Sequence, residues 1–335
     1  MRFGAHYLPT YVPELDGSVR NFYQLMFEQM EGLEGLGFTD LWITEHHFGY
    51  YGGIVPHPPT FLSAIARTTQ KIRLGVAISV LPFHSPLGVA ESYGMVDVIS
   101  NGRLEMGVGR GNEHHEFRKT HTSQETSGML TREATEIIRQ AWSDEPVNFQ
   151  GEFFKYHDVN VLPKPVQRPH PPIWVGGHSE DTFRWAAENG FNLMTLPYMN
   201  PSPENMRANF QMYRKALSDA GHGRREILGK FHIYVADSMD QAVREGAPYI
   251  ENYHATHQAA DPGRRLGASR DFNAQMERGF LIAGDSHRCI DSIHRWQEEV
   301  GLTTLSGTFY FGGMPQELAL KNIRTFAERV MPAFV

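Results

Sequence analysis

A single cysteine, Cys289, is all the thiol chemistry that this 335-residue chain carries. That excludes a disulfide framework within the chain and a multi-cysteine metal site, and it fits a reducing cytoplasm. Long apolar runs are missing as well. No stretch reaches the roughly 18 consecutive apolar residues of a membrane-spanning helix, and the N-terminal "MRFGAHYLPTYVPELDG" shows no signal-peptide apolar region. A cytoplasmic location, with neither membrane nor secretion, is expected. Charge of one sign is not in excess either: 31 Lys and Arg face 38 Asp and Glu, a formal net charge of -7. This balance disfavours nucleic acid and anionic membrane as main partners and leaves a small molecule as the default. Low-complexity tracts and short-period repeats are absent too. What is present, 41% hydrophobic and 12% aromatic residues, suffices for a full globular core.

Short apolar runs alternate with amphipathic helical patterns, the signature of βα units. "RFGAHYL", "DLWIT", "IRLGVAISVLP", "RLEMGVG", "PPIWVGG", "FNLMTL", "KFHIYVA" and "TLSGTFYF" read as eight strands in turn. Phe22, Leu25, Met26, Met30 and Leu33 recur at helical spacing after the first strand, and Leu130, Ala134, Ile137, Ile138 and Ala141 after the fourth. Ser238 with Gln241 three residues on marks a helix start, and Gly190 a helix stop. Eight such units predict an α/β fold, a (β/α)8 barrel, with residues 1–335 forming one domain. A barrel needs about 250 residues, so roughly 85 are left for insertions. Two stretches hold most of them: 144–172, before strand five, reads as an excursion hairpin, and 252–280, before strand eight, as a mobile polar loop at the barrel mouth.

Active sites in this architecture sit at the C-terminal ends of the strands. Glu45, His46 and His47 lie at the end of strand two, and alternation along a strand places His46 on one side and Glu45 with His47 on the other. A metal site would need more ligands converging. "GAHYLP" offers only His6, and His114, His115 and His121 lie in a polar loop, so no metal is expected. "MGVGRGN", 106–112, resembles a nucleotide loop, but Asn112 stands where the third glycine would be and the P-loop lysine is missing. Its Arg110, flanked by glycines, can reach a phosphate or a carbonyl, or pair with a neighbouring carboxylate. In "WVGGHSEDTFRWAAENG", Gly176 and Gly177 permit close backbone approach. Ser179 and Thr182 stand at a helix start whose first amides form an anion site. Ser179 can equally cap that helix, and both roles are compatible.

Taken together, "EHHF", "LGVAISVLPFHSP", "VDVISNGRLEMGVGRG" and "PIWVGGHSEDTFRWAAENG" resemble, in order and over nearly the whole chain, the luciferase-like flavin monooxygenases. The resemblance implies reduced FMN across the barrel mouth. It implies His46 as catalytic acid or base, Arg110 as the arginine on the flavin phosphate, and Ser179 and Thr182 as hydroxyls on the same phosphate. Gly176, Gly177 and His178 belong to that motif, and a non-proline cis bond at Ala77–Ile78 would pack against the flavin ring. Gly109 replaces the reactive cysteine of the light-emitting members, so light emission is not expected, and an imidazole at His178 should favour a phosphate. The implied activity is oxygenation of a small organic substrate with reduced FMN and O2. The reduced FMN would come from a separate NAD(P)H-flavin reductase, and the family resemblance implies a homodimer. The alternatives are hydride transfer with a deazaflavin or flavin, a non-catalytic flavin-binding protein and, from another class, a metal-dependent barrel hydrolase.

Overall fold

A computed structural model describes residues 1–199, 203–260 and 271–334. Its strands are β1 (Arg2–Tyr7), β2 (Asp40–Ile43), β3 (Arg73–Val80), β4 (Leu104–Gly109), β5 (Val147–Gln150), β6 (Lys155–Val159), β7 (Ile173–Gly176), β8 (Asn192–Thr195), β9 (Ile227–Val235), β10 (Leu281–Gly284) and β11 (Thr304–Thr308). Helices α1 (Pro13–Asp16), α2 (Val19–Gly32), α3 (Pro58–Thr68), α4 (Pro86–Ser100), α5 (His114–Thr120), α6 (Ser127–Ala141) and α7 (Glu180–Glu188) alternate with the first half of them. Helices α8 (Pro203–Asp219), α9 (Met239–Ala260), α10 (Phe272–Glu277), α11 (Ser286–Val300) and α12 (Gln316–Arg329) follow. The strands β1, β2, β3, β4, β7, β8, β9 and β11 pair in parallel, and β9 joins both β8 and β11, so the sheet closes into an eight-stranded barrel. The predicted (β/α)8 fold is therefore observed. No helix among the described residues is long and apolar enough to cross a membrane.

Local sequence explains the elements. Strands such as "DLWI" and "LEMGVG" are buried throughout, because parallel strands under helices meet apolar surroundings on both faces. Helix α2 turns Phe22, Met26 and Met30 to the barrel. Helix α7 starts at Ser179, whose Oγ accepts from the Thr182 amide, and ends before Gly190 at φ 67°.

The N-terminal end of the barrel is closed by charge. Arg2 pairs with Asp40, with Glu105 at 3.1 Å and with Glu226 at 2.6 Å, and Arg73 pairs with Glu105. Above this plug lies a layer of Trp42, Trp174, Met194 and Leu228, with the Trp174 indole donating to Glu105 at 2.6 Å. A side chain at Gly75 would overlap the Trp42 ring, so only glycine leaves room for that indole. Plug and tryptophan layer fill the lower barrel, and the open space is left at the C-terminal ends of the strands.

Three departures from the sequence reading concern the last third of the chain. The stretch 252–280 is not simply loop: residues up to Ala260 continue α9 and 272–277 form α10, while 261–270 lie outside the described residues. Past Ile250 the inward face of α9 carries Tyr253, His254 and His257 in place of aliphatics, which hides its helical period. Second, the four-residue run "LIAG" forms β10, a ninth parallel strand on the upper part of β9, and leads through an Asp285 cap into α11. Third, the seventh barrel strand starts earlier, at Ile227. In the other insertion, β5 and β6 pair antiparallel.

Candidate active site

Strand ends converge on a cavity of 390 Å³ at the C-terminal face. His6 reaches it from β1, Thr44 and His46 from the end of β2, Ala77 and Ile78 from β3, and Gly109 with Arg110 from β4. Gly176, Gly177 and His178 follow β7, and Lys230 comes from β9. His46 faces this cavity, whereas Glu45 lines a second one of 230 Å³ behind the strand. The alternation expected for a strand end thus sends the two side chains apart.

Each histidine of the pair has its own carboxylate. His46 Nδ1 lies 3.1 Å from the buried Glu116 Oε1, which also accepts the His47 amide at 2.7 Å. Burial works against the imidazolium, but the Glu116 hydrogen bond and charge, aided by Glu113 and Glu45, outweigh it and raise the His46 pKa. With Nδ1 committed to Glu116, Nε2 is the nitrogen left for proton exchange. Behind the strand, His47 Nε2 and His84 Nε2 lie 3.1 Å and 2.7 Å from Glu45 Oε1, and Ser79 donates to Oε2 at 3.1 Å. Burial opposes ionisation of Glu45, yet its hydrogen bonds from His47 and His84 and their charges hold its pKa down to about 2. The ligand atoms of Glu45, His47 and His84 lie within 4.8 Å of one another, and hydrogen bonds between them already use that proximity. His115, from the polar loop, sits in α5 with Nε2 at 3.3 Å from the His47 carbonyl.

The other end of the cavity carries cationic and hydroxyl donors. Arg110 is exposed and, among the described residues, pairs with no carboxylate. His178 shares that end. Ser179 and Thr182 do not line the cavity itself; they stand just beyond it at the start of α7, with their hydroxyls 2.8 Å apart and Ser179 capping the helix. A side chain at Gly177 would strike Thr182 at 2.5 Å. Between the two ends runs an apolar shelf. The Ala77–Ile78 bond is cis, as expected from the sequence. A Cβ at Gly109 or Gly176 would come within 2.7 Å or 2.6 Å of the Ile78 side chain, so the two glycines leave room for it.

Several lining residues escaped the sequence reading. Glu116 meets His46 across 70 positions of sequence, and no local pattern announces it. Tyr253, from α9, closes over the mouth with its hydroxyl 2.8 Å from that of Tyr51, while His257 stacks on Tyr51 at 4.2 Å and approaches Glu113 at 3.4 Å. Lys230 and Phe280 complete that wall.

Residues 1–304 match the luciferase-like monooxygenase family, and the chain belongs to it. It is therefore an enzyme, a luciferase-like monooxygenase. The oxygenase component of the flavin-dependent trigonelline monooxygenase of Acinetobacter baylyi is 30% identical, over 94% of this chain and 91% of that protein. Among solved structures, the monooxygenase RslO1 of Streptomyces bottropensis superposes with a TM-score of 0.93 at 30% identity, covering 100% of both chains. The oxygenating constituent of 3,6-diketocamphane monooxygenase from Pseudomonas putida, solved with FMN, superposes with a TM-score of 0.82 at 19% identity, covering 100% of this chain and 99% of that one.

Proposed function

We propose that this protein is the oxygenase component of a two-component system that takes reduced FMN from a separate NAD(P)H-flavin reductase and uses O2 to oxygenate a small organic substrate. The observation that carries this reading is the single cavity surface that joins an arginine with no carboxylate partner among the described residues, a glycine-lined apolar shelf at Ala77 and Ile78 and a carboxylate-held histidine. The residues fit the cofactor. Arg110, the amide end of α7 and the Ser179 and Thr182 hydroxyls supply donors for a phosphate. Ala77 and Ile78, with Gly109, Gly176 and Gly177 leaving space around them, supply an apolar bed for a flat ring system. The naming of the Acinetobacter relative as an oxygenase component supports the two-component arrangement.

When bound, reduced FMN supplies the electrons that activate O2. The protein's share is binding, shielding and proton movement. His46, its pKa raised by the Glu116 hydrogen bond and charge against burial, delivers or accepts a proton at Nε2 facing the cavity. Tyr253, His257 and Phe280 roof the site and exclude water. No step calls for a metal. A cytoplasmic homodimer agrees with this reading, and the exposed Met95 and Val98 of α4 offer apolar surface that such an assembly would cover. The test is to release the ligand from purified protein and to titrate the apoprotein with FMN and with a deazaflavin. FMN as the released or preferred ligand supports the proposal, and a preference for the deazaflavin refutes it in favour of hydride transfer.

A further inference from the structure

Lys230 is the feature of the cavity that flavin binding does not use. It lies mid-strand in β9, between Leu228 in the tryptophan layer below and His232 above, so alternation turns all three into the barrel. Its side chain lines the cavity yet the residue is only 6% exposed. Among the described residues it makes no hydrogen bond or ion pair, and burial alone pushes its ammonium down to about 7. Glu113, the only acid among the described lining residues, is turned to His257. Among the described residues the titratable groups around Lys230 are His6 and His232, whose pKa values burial and then the lysine's charge hold well below the usual imidazole range, with His254 beside them, and Arg278 on the same cavity lining. Tyr253 and Phe280 present their rings to Nζ at 6.0 Å and 5.8 Å, a partial compensation for a cation. Among the described residues this buried ammonium has no counterion, and buried charges are normally paired.

Position decides which ligand supplies it. In the closed barrel β9 lies four strands from β3 in either direction, so Lys230 faces the Ala77–Ile78 shelf from the opposite wall. Arg110 and the start of α7 already serve the phosphate on the β4 and β7 side. We infer that Lys230 anchors the carboxylate of an aromatic organic acid, the substrate class of this enzyme, with Tyr253 and Phe280 against its ring and the reacting face turned toward the shelf. This assignment rests on the flavin reading for its orientation.

The test uses matched probes, benzoate and benzamide, which share shape and differ in charge. FMN is first titrated into wild-type protein and Lys230→Met, a replacement that suits an apolar wall. The holoproteins are then titrated with each probe at pH 6, followed by the flavin difference spectrum. Wild type should bind benzoate about tenfold or more tighter than benzamide, the scale of a hydrogen bond to a charged group. Lys230→Met should lose that preference with FMN affinity and benzamide affinity unchanged. Lys230→Gln and Lys230→Arg keep the question decidable should Lys230→Met not fold: the preference for benzoate should be lost in the first and kept in the second. Equal binding of the two probes by wild type, or a preference retained without the lysine, overturns the assignment. If FMN fails to bind, the flavin reading fails, and calorimetry of the same probe pair on the apoprotein settles the anion site on its own.

Discussion

Replacing Arg110 by alanine isolates the phosphate from the rest of the flavin. The side chain is exposed and, among the described residues, unpaired, so its removal strands no buried partner and should leave the fold intact. A hydrogen bond to a charged group contributes about 1.5 to 3 kcal/mol, and solvent screening of an exposed arginine places this one toward the low end. About 1.5 to 2 kcal/mol corresponds to a Kd for FMN weakened roughly ten- to thirtyfold. Riboflavin, which has the ring but no phosphate, should bind wild type and variant alike. Quenching of flavin fluorescence on titration with apoprotein reads both constants under identical conditions. The gap between wild type and variant should also narrow as salt rises, because exposed charges are screened beyond about 8 Å at physiological ionic strength. Equal losses for FMN and riboflavin, or no loss for either, would place the phosphate elsewhere and refute the reasoning.

His46→Ala should slow the single-turnover decay of the flavin signal in oxygen by about a hundredfold or more, the usual contribution of a general acid or base, with FMN affinity kept; an unchanged rate removes His46 from proton transfer. His47→Ala should mainly lower the melting temperature, since His47 bonds the buried Glu45 behind the strand. Glu45→Gln should cost about 2 to 3 kcal/mol at neutral pH by loosening His47, His84 and Ser79. The folded-state pKa of Glu45 is depressed from 4.5 to about 2, so its stabilisation is full above 4.5 and lost as pH falls toward 2; denaturation of the variant should be flatter across that window. His84, with its pKa raised by Glu45 against burial, adds the opposite limb, stabilisation lost as pH rises through its folded value. Gly75→Ala should destabilise by about 1 to 3 kcal/mol in a denaturant titration, because its methyl overlaps Trp42; an unaffected midpoint would mean that the tryptophan layer yields freely.

The barrel was legible because its strands announce themselves twice, by unbroken apolar runs such as "LGVAISV" and by the amphipathic helices between them. β10 was not, since four residues carry too short a period to separate strand from loop. The end of α9 was read as loop for a chemical reason: the helix turns histidine and tyrosine, not leucine, toward the barrel, because it roofs a cavity instead of a core. Of the residues around the cavity, His46, Arg110 and Gly176 sit in short contiguous motifs that the sequence displays. Glu116 and Lys230 do not. The first acts on His46 through a contact made only when α5 folds over the end of β2. The second sat at the start of the expected strand "KFHIYVA", and only the longer β9 shows that it lies mid-strand, facing inward.

The most direct test of the account is anaerobic loading of the protein with reduced FMN followed by rapid mixing with oxygenated buffer. Bound reduced FMN should consume O2 at a rate distinct from that of free flavin, and NADH in place of a reductase should support no consumption. Bound reduced FMN that stays inert to oxygen, or a site that accepts only a deazaflavin and passes hydride to a substrate, would contradict it.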